Sequence, residues 1–116
     1  MENKYKIVFL LTNNNSWQGV ISQIKNLLKV HQLIEDIAVV ITNSAVLSCF
    51  KENNLEEFKT DFDLLDSSGI KFWICANTLK KYNIPPDILF NQLEIAEQGG
   101  ILKVVEYQSK GYFLIQ

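Results

Sequence analysis

The sequence contains no arginine, so all 11 of its basic residues are lysines, set against 13 acidic residues. Arginine supplies the planar, two-pronged contacts with which many proteins bind phosphate groups and guanine. The formal net charge of -2 also removes the attraction on which non-specific nucleic-acid binding depends. We therefore expect no nucleic acid among the partners of this protein.

Histidine and cysteine are also scarce, with one histidine, His31, and two cysteines, Cys49 and Cys75. The cysteines are too far apart for a CxxC pair, and the chain cannot supply the ligand set of a zinc site. His31 follows the first predicted helix, where a cation is favoured by the helix dipole, so we expect it to be an exposed capping residue. The sequence predicts neither a metal nor a bound cofactor.

Long apolar runs are absent. No stretch reaches the roughly 18 residues that a membrane span needs, and the first residues pass into a strand-like run without a signal-peptide pattern. We therefore expect a cytoplasmic protein that does not bind membranes. A chain of 116 residues, 47% of them hydrophobic, is long enough for one core, and we expect a single domain over residues 1–116.

The most informative stretch is residues 69–79, where a short apolar run ends on Cys75 and a helix begins soon afterwards. Residues 70–74 are rich in β-branched and aromatic side chains, a composition that predicts a strand buried on both faces. Asn77 or Thr78 can cap the following helix, and either side chain can also donate a hydrogen bond to a sulfur anion.

Apolar periodicity along the rest of the chain predicts the order β-α-β-α-α-β-α-β-α-β. Its connections suit parallel strands joined by right-handed crossovers. We therefore predict an α/β fold, a three-layer α/β/α sandwich with a five-stranded, mainly parallel sheet. Helix starts are predicted at Ser16, at Asn54 with Glu57, and at Gly99-Gly100, with a short helix through Val46 and Phe50. The predicted strands are residues 5–11, 37–41, 70–74, 93–96 and 112–115.

Cys75 lies at the carboxyl end of a predicted central strand, the edge of a parallel sheet where ligands and reactive groups collect. Free backbone N–H groups at a helix start favour a thiolate over a thiol and lower the pKa of a cysteine. Asn13 follows the first strand and can share this edge, or it can belong to a plain surface loop. Cys75 can equally be a small buried hydrophobe, which is the reading that the apolar pattern favours for Cys49.

Two segments carry a family resemblance. Residues 69–79 place a glycine, an apolar strand, Cys75 and then Ala-Asn-Thr-Leu in succession, and the chain ends its last helix with Gln108-Ser-Lys-Gly111-Tyr112. The sequence thereby resembles small single-domain members of the DsrE/DsrF/TusD-like sulfur-relay family. The resemblance implies a parallel α/β domain that forms homo-oligomers, trimers or hexamers, and that carries sulfane sulfur as a persulfide on Cys75.

The resemblance breaks at the end of the second strand, where many relatives have a His-Gly pair and this chain has Thr42-Asn43. Asn43 joins Cys75, Asn77, Thr78 and Asn13 as a candidate site residue. The first hypothesis is a sulfur-carrier or sulfurtransferase-like protein that exchanges sulfur with donor and acceptor proteins. The alternative is a non-catalytic oligomeric binding or assembly module with the same fold. A flavodoxin-like nucleotide-binding domain is a third possibility, for which only fold analogy speaks.

Overall fold

The computed structural model describes residues 4–116 except residue 54. Five parallel strands form one sheet in the order β4-β3-β2-β1-β5. The predicted α/β class and the five-stranded sheet are therefore confirmed. The strands are β1 (Tyr5–Leu11), β2 (Ile34–Ile41), β3 (Lys71–Cys75), β4 (Glu94–Ala96) and β5 (Phe113–Ile115).

The three central strands, β1, β2 and β3, are those with the continuous apolar runs that burial on both faces requires. β1 has the predicted bounds, whereas β2 starts at Ile34, three residues before the predicted start. β3 is shifted by one residue, so that Cys75 is its last residue and pairs with Ala96 of β4. The shift places the sulfur at the edge of the sheet.

Helices connect the strands. The prediction for the helix after β2 is wrong in type, because residues 43–48 form a 3-10 helix. This 3-10 helix stops short of Phe50, which pairs with Leu89 in an isolated bridge. None of the helices in residues 4–53 and 55–116 is long and apolar enough to cross a membrane. The α-helices are α1 (Trp17–Leu28), α2 (Glu56–Ser67), α3 (Ala76–Lys81) and α4 (Gly100–Ser109), and the 3-10 helices are Asn14–Ser16, His31–Leu33, Asn43–Ser48 and Pro86–Ile88.

The helices cover the two faces of the sheet separately. α1 and α2 pack on the face that carries Phe9 and Phe72, in the larger apolar core. α4 packs on the opposite face, where Val104 contacts a smaller core with Val8 and Val40. Strands β2, β3 and β4 are added in turn on one side of β1, whereas β5 is added on its other side. The crossover from β4 to β5 therefore runs in the reverse direction, and because it is right-handed it puts α4 on the opposite face. The three-layer arrangement is the predicted one.

The predicted helix starts had mixed outcomes. Ser16 holds the N-cap position of α1 after a short 3-10 turn, but its side chain makes no capping hydrogen bond, so the predicted cap is wrong. Neither Asn77 nor Thr78 caps α3, because Cys75 itself holds the N-cap position and both residues lie in the first helical turn. The predicted capping by Asn54 falls outside the described residues. α4 begins at Gly100, at the predicted glycine pair.

Candidate functional site

A cavity of about 310 Å³ lies at the carboxyl edge of the sheet, where the ends of β1, β2 and β3 meet the first turns of α3 and α4. Four of the five predicted site residues line it: Cys75, Asn77, Thr78 and Asn43. The fifth, Asn13, lies outside this lining and accepts a hydrogen bond from the N–H of Asn15 at 2.8 Å. Its side chain therefore shapes the loop after β1, as the plain-loop alternative holds.

A larger groove of about 710 Å³ runs between α1 and α2. Its walls include Trp17 and Phe58, and the ion pair of Lys25 with Asp61 lies beside them. Neither cysteine is part of its lining. The smaller cavity is therefore the candidate site, because it alone of the two is lined by a cysteine.

Cys75 forms part of the wall of the smaller cavity and is itself 6% exposed. Its sulfur accepts a hydrogen bond from the backbone N–H of Gly100 at 3.2 Å. The first turn of α3 adds further polar hydrogens, those of the Asn77 and Thr78 N–H groups and of the Thr78 hydroxyl, which lower the pKa of the thiol. Cys75 therefore lies between two helix starts, as the N-cap residue of α3 and as the acceptor for the N–H of the first residue of α4.

These polar groups decide the ionisation of the thiol. Burial raises the pKa of Cys75, because it disfavours the charged form. The polar hydrogens of the Thr78 hydroxyl and of the N–H groups of Thr78, Gly100 and Asn77 outweigh burial, and the pKa falls below its ordinary value of 9.0. A cysteine with a lowered pKa has more thiolate at neutral pH, and the thiolate is its nucleophilic form.

Gly99 and Gly100 let α4 approach the sulfur. Gly99 has a φ of +102°, in the left-handed region that favours glycine. A Cβ on Gly100 would lie 2.6 Å from Cγ2 of Thr42 and 3.3 Å from Cβ of Cys75. Sequence reasoning predicted a helix start at this pair and missed the hydrogen bond to Cys75. The available signal was the glycine pair at a predicted helix start near the strand edge.

Thr42 and Asn43 form the third side of the site. Thr42 is buried and continues β2, with its N–H donating to the carbonyl of Leu11 at 2.8 Å. Asn43 has a φ of +52°, and its N–H donates to the Thr78 hydroxyl oxygen at 3.1 Å. His31 precedes β2 at the opposite edge of the sheet, so the one imidazole of the sequence lies away from the cavity.

The second cysteine has a different environment. Cys49 is 0% exposed and belongs to the larger core. Its sulfur lies 3.8 Å from the carbonyl oxygen of Ala45, and burial raises the pKa of its thiol. A neutral, enclosed thiol is a poor nucleophile, and the structural interpretation of Cys49 therefore fits its surroundings.

Comparison with known proteins supports the fold on independent grounds. The sequence model of the DsrE/DsrF-like family matches residues 6–116. No curated protein matches the sequence. The structure is similar to that of MTH1491, a protein of unknown function from Methanobacterium thermoautotrophicum, with a TM-score of 0.84 and 23% identity over 96% of this chain and 97% of the other. That likeness concerns the fold alone. The family match spans nearly the whole sequence, and the chain therefore belongs to the DsrE/DsrF-like family.

Proposed function

We propose that this protein is a sulfur carrier of the sulfur-relay type, which holds sulfane sulfur as a persulfide on Cys75. The observation that carries the proposal is the hydrogen bond from the N–H of Gly100 to this sulfur, at 3.2 Å. It stabilises negative charge on the side chain of a residue that forms part of the wall of an open cavity. Family membership adds the expectation of sulfur-relay chemistry.

Loading requires a nucleophilic Cys75. The thiolate attacks the outer sulfur of a donor persulfide, a new S–S bond forms to Cys75, and the donor's own S–S bond breaks. The electron pair of the broken bond leaves with the donor thiolate, and the proton of the persulfide stays on the transferred sulfur. The step needs no oxidant. The lowered pKa of Cys75 supports it, because more of the thiol is ionised at neutral pH.

Unloading reverses the roles. An acceptor thiolate attacks the outer sulfur of the Cys75 persulfide, and the pair of electrons from the broken S–S bond returns to the Cys75 sulfur. The N–H of Gly100 then stabilises the departing thiolate. A thiol with a low pKa leaves faster, so the same hydrogen bond favours both directions of transfer.

An exposed apolar stripe on α4, formed by Ile101, Leu102 and Val105, begins at the mouth of the cavity, and Ile101 is 64% exposed. A second copy of the chain docked there would bury the stripe and lie beside the mouth. We therefore propose a homo-oligomer, a trimer or hexamer, that works in the cytoplasm with proteins as sulfur donor and acceptor. Light scattering on the Val105→Glu variant tests this contact by measuring the mass of the oligomer. The variant should fold, and its oligomer should dissociate.

Mass spectrometry of the intact protein and its peptides tests the sulfur-carrier function. After incubation with a low-molecular-weight persulfide, the wild-type chain should gain the mass of one sulfur atom, on the peptide that contains Cys75. Cys49→Ala should gain the same mass and Cys75→Ser should gain none. Addition at Cys49 alone, or no addition to a folded protein, would overturn the proposal.

The alternative is an assembly module that does not transfer sulfur. The observation in its favour is Thr42, a buried residue without acid-base chemistry at the place where many relatives have histidine. This function predicts that Cys75→Ser keeps the oligomer and every partner that the wild type retains. Loss of a partner by a folded, correctly assembled Cys75→Ser variant would count against it and favour sulfur transfer.

A further inference from the structure

The first residue of α4 lies against the methyl group of Thr42. A Cβ added to Gly100 would lie 2.6 Å from Cγ2 of Thr42. It would also lie 3.2 Å from Cγ1 of Val40 and 3.3 Å from Cβ of Cys75. Carbon atoms that are not bonded to each other pack best at about 3.5–4.0 Å, so Gly100 itself already fills the space above the Thr42 methyl group. This methyl group is the closest support of the start of α4.

The hydroxyl of Thr42 determines where this methyl group points. It donates to the carbonyl of Leu11 at 3.3 Å, and the N–H of Thr42 donates to the same carbonyl at 2.8 Å. Thr42 is buried, so water competes weakly for these bonds. A β-branched side chain is stiff about its Cα–Cβ bond. Because the hydroxyl is held toward β1, the methyl group is held against α4.

The position of α4 on this methyl group matters to the sulfur. The N–H of Gly100 donates to the Cys75 sulfur at 3.2 Å, and a hydrogen bond to the charged form of a thiol favours that form. Thr42 follows β2, whereas Cys75 ends β3, so the methyl group and the sulfur support α4 from two neighbouring strands. Without the methyl group, the start of α4 would settle into the space beside β2 and move away from the sulfur.

We propose that Thr42 is a positioning residue: its methyl group supports the first turn of α4 and holds the N–H of Gly100 within hydrogen-bond distance of the Cys75 sulfur. The hydroxyl of Thr42 contributes only by fixing the direction of the methyl group. The inference rests on the proposed sulfur-carrier function for its biological sense, whereas its test concerns the free thiol. Within residues 4–53 and 55–116, Lys81 is the only other residue in the cavity lining that ionises, and it is the same in every variant compared.

The test is the pH profile of iodoacetamide alkylation at Cys75, resolved by peptide mass spectrometry. Thr42→Ser keeps the hydroxyl but removes the methyl group, so its midpoint should rise, by up to about one pH unit for the loss of a hydrogen bond to a charged group. Thr42→Val is the matched control, because valine keeps the shape of threonine and loses only the hydroxyl. Its midpoint should equal that of the wild type. An unchanged midpoint in a folded Thr42→Ser protein, or an equal rise in both variants, would overturn the proposal.

An exchange of methyl groups separates positioning from general damage. Gly100→Ala adds a methyl group beside the one that Thr42→Ser removes, so the double variant should regain a midpoint near that of the wild type. Gly100→Ala combined with Thr42→Val keeps the clash, and its midpoint should stay raised.

Shifts that simply add in the serine double variant would overturn the proposal. If Gly100→Ala alone does not fold, recovery of the fold by Thr42→Ser and not by Thr42→Val supports the proposal, and failure of both double variants to fold overturns it. Persulfide loading is measured separately on the wild type, so a failure of the sulfur-carrier function and a failure of this proposal are distinguishable.

Discussion

The backbone N–H of Gly100 lies 3.2 Å from the sulfur of Cys75, although 25 residues separate them in the sequence. Cys75 ends β3 and Gly100 begins α4, so this contact ties the start of the helix on one face to the edge of the sheet. The helix can come so close because Gly100 has no side chain. The acidity of the thiol should therefore depend on how α4 is seated.

Gly100→Ala tests this dependence. The added Cβ would lie 2.6 Å from Thr42 Cγ2, so the first turn of α4 must move away. We expect overpacking to lower the free energy of unfolding by roughly 1–3 kcal/mol. The alkylation midpoint of Cys75 should rise, because the N–H of Gly100 no longer reaches the sulfur. Urea unfolding and site-resolved alkylation measure the two effects.

Gly19→Ala is the matched control. Gly19 lies inside α1, and a Cβ added there meets no atom within 4 Å. Alanine favours the helix over glycine by about 0.5–1 kcal/mol, so this variant should be more stable and should leave the Cys75 midpoint unchanged. A Gly100→Ala protein as stable as the wild type, with an unshifted midpoint, would contradict the close packing of α4 on the site.

The lowered pKa of Cys75 predicts a pH dependence of stability. The unfolded thiol titrates near its ordinary value of 9.0 and the folded one below it. Between the two values the unfolded chain binds more protons, so the free energy of unfolding rises with pH over this window. The contribution is complete above the unfolded pKa and is lost as the pH falls through the folded pKa. Urea titrations across this window measure it.

Cys75→Ser supplies the control, since serine does not titrate in this range. The rise in the free energy of unfolding that Cys75 causes should be absent in that variant. The difference in this free energy between the two proteins should grow with pH up to about 9. Cys49 has the opposite effect on the free energy of unfolding. Burial raises its folded pKa, so its contribution lowers that free energy only as the pH rises above the pKa of the unfolded thiol. Parallel pH curves for wild type and Cys75→Ser would show that Cys75 has no lowered pKa.

Sequence reasoning found the strands because buried parallel strands carry a strong local signal, continuous apolar runs such as that of β1. It also found Cys75, since the end of an apolar run followed by a helix start is local too. It missed the contact of Gly100, because that contact depends on where α4 docks. It left Asn13 open between the site and a plain surface loop, and the Asx hydrogen bond to Asn15 fits the loop.

Asn43 illustrates the same limit at one residue. Asn43 was a candidate binding residue because of the family resemblance, as part of the Thr42-Asn43 pair that stands where many relatives have His-Gly. In the structure the main-chain N–H of Asn43 makes the contact, in a left-handed turn that asparagine tolerates. Backbone direction at a turn depends on tertiary contacts such as those of Thr42 with β1, which no local pattern records.

Cys49→Ala should separate structure from function at the second cysteine. Its sulfur is enclosed in the larger core, so removing it leaves a small cavity and lowers the free energy of unfolding by about 1 kcal/mol. Persulfide loading and the Cys75 midpoint should match the wild type. In the wild-type protein, Cys49 should be alkylated only after addition of denaturant. Rapid alkylation of Cys49 in the native state would contradict its burial.

Trp17→Phe probes the segment that carries Asn43. The indole N–H of Trp17 is buried and donates to the carbonyl of Ala45 at 2.8 Å, within the 3-10 helix that starts at Asn43. Phenylalanine keeps most of the apolar contact but leaves that buried carbonyl without this donor, so we expect a loss of roughly 1–3 kcal/mol. Urea unfolding followed by far-UV circular dichroism measures it without relying on tryptophan fluorescence.

Trp73→Phe is the comparison for this change. The indole of Trp73 is half-buried and donates to the Tyr107 hydroxyl at 2.7 Å, at a site where water can replace the lost partner. Its loss of stability should therefore be smaller than that of Trp17→Phe. Equal losses of stability in the two variants would mean that burial of the Ala45 carbonyl does not determine how much stability Trp17→Phe loses. A larger loss for Trp73→Phe would place the stronger hydrogen bond on the α4 side of the sheet.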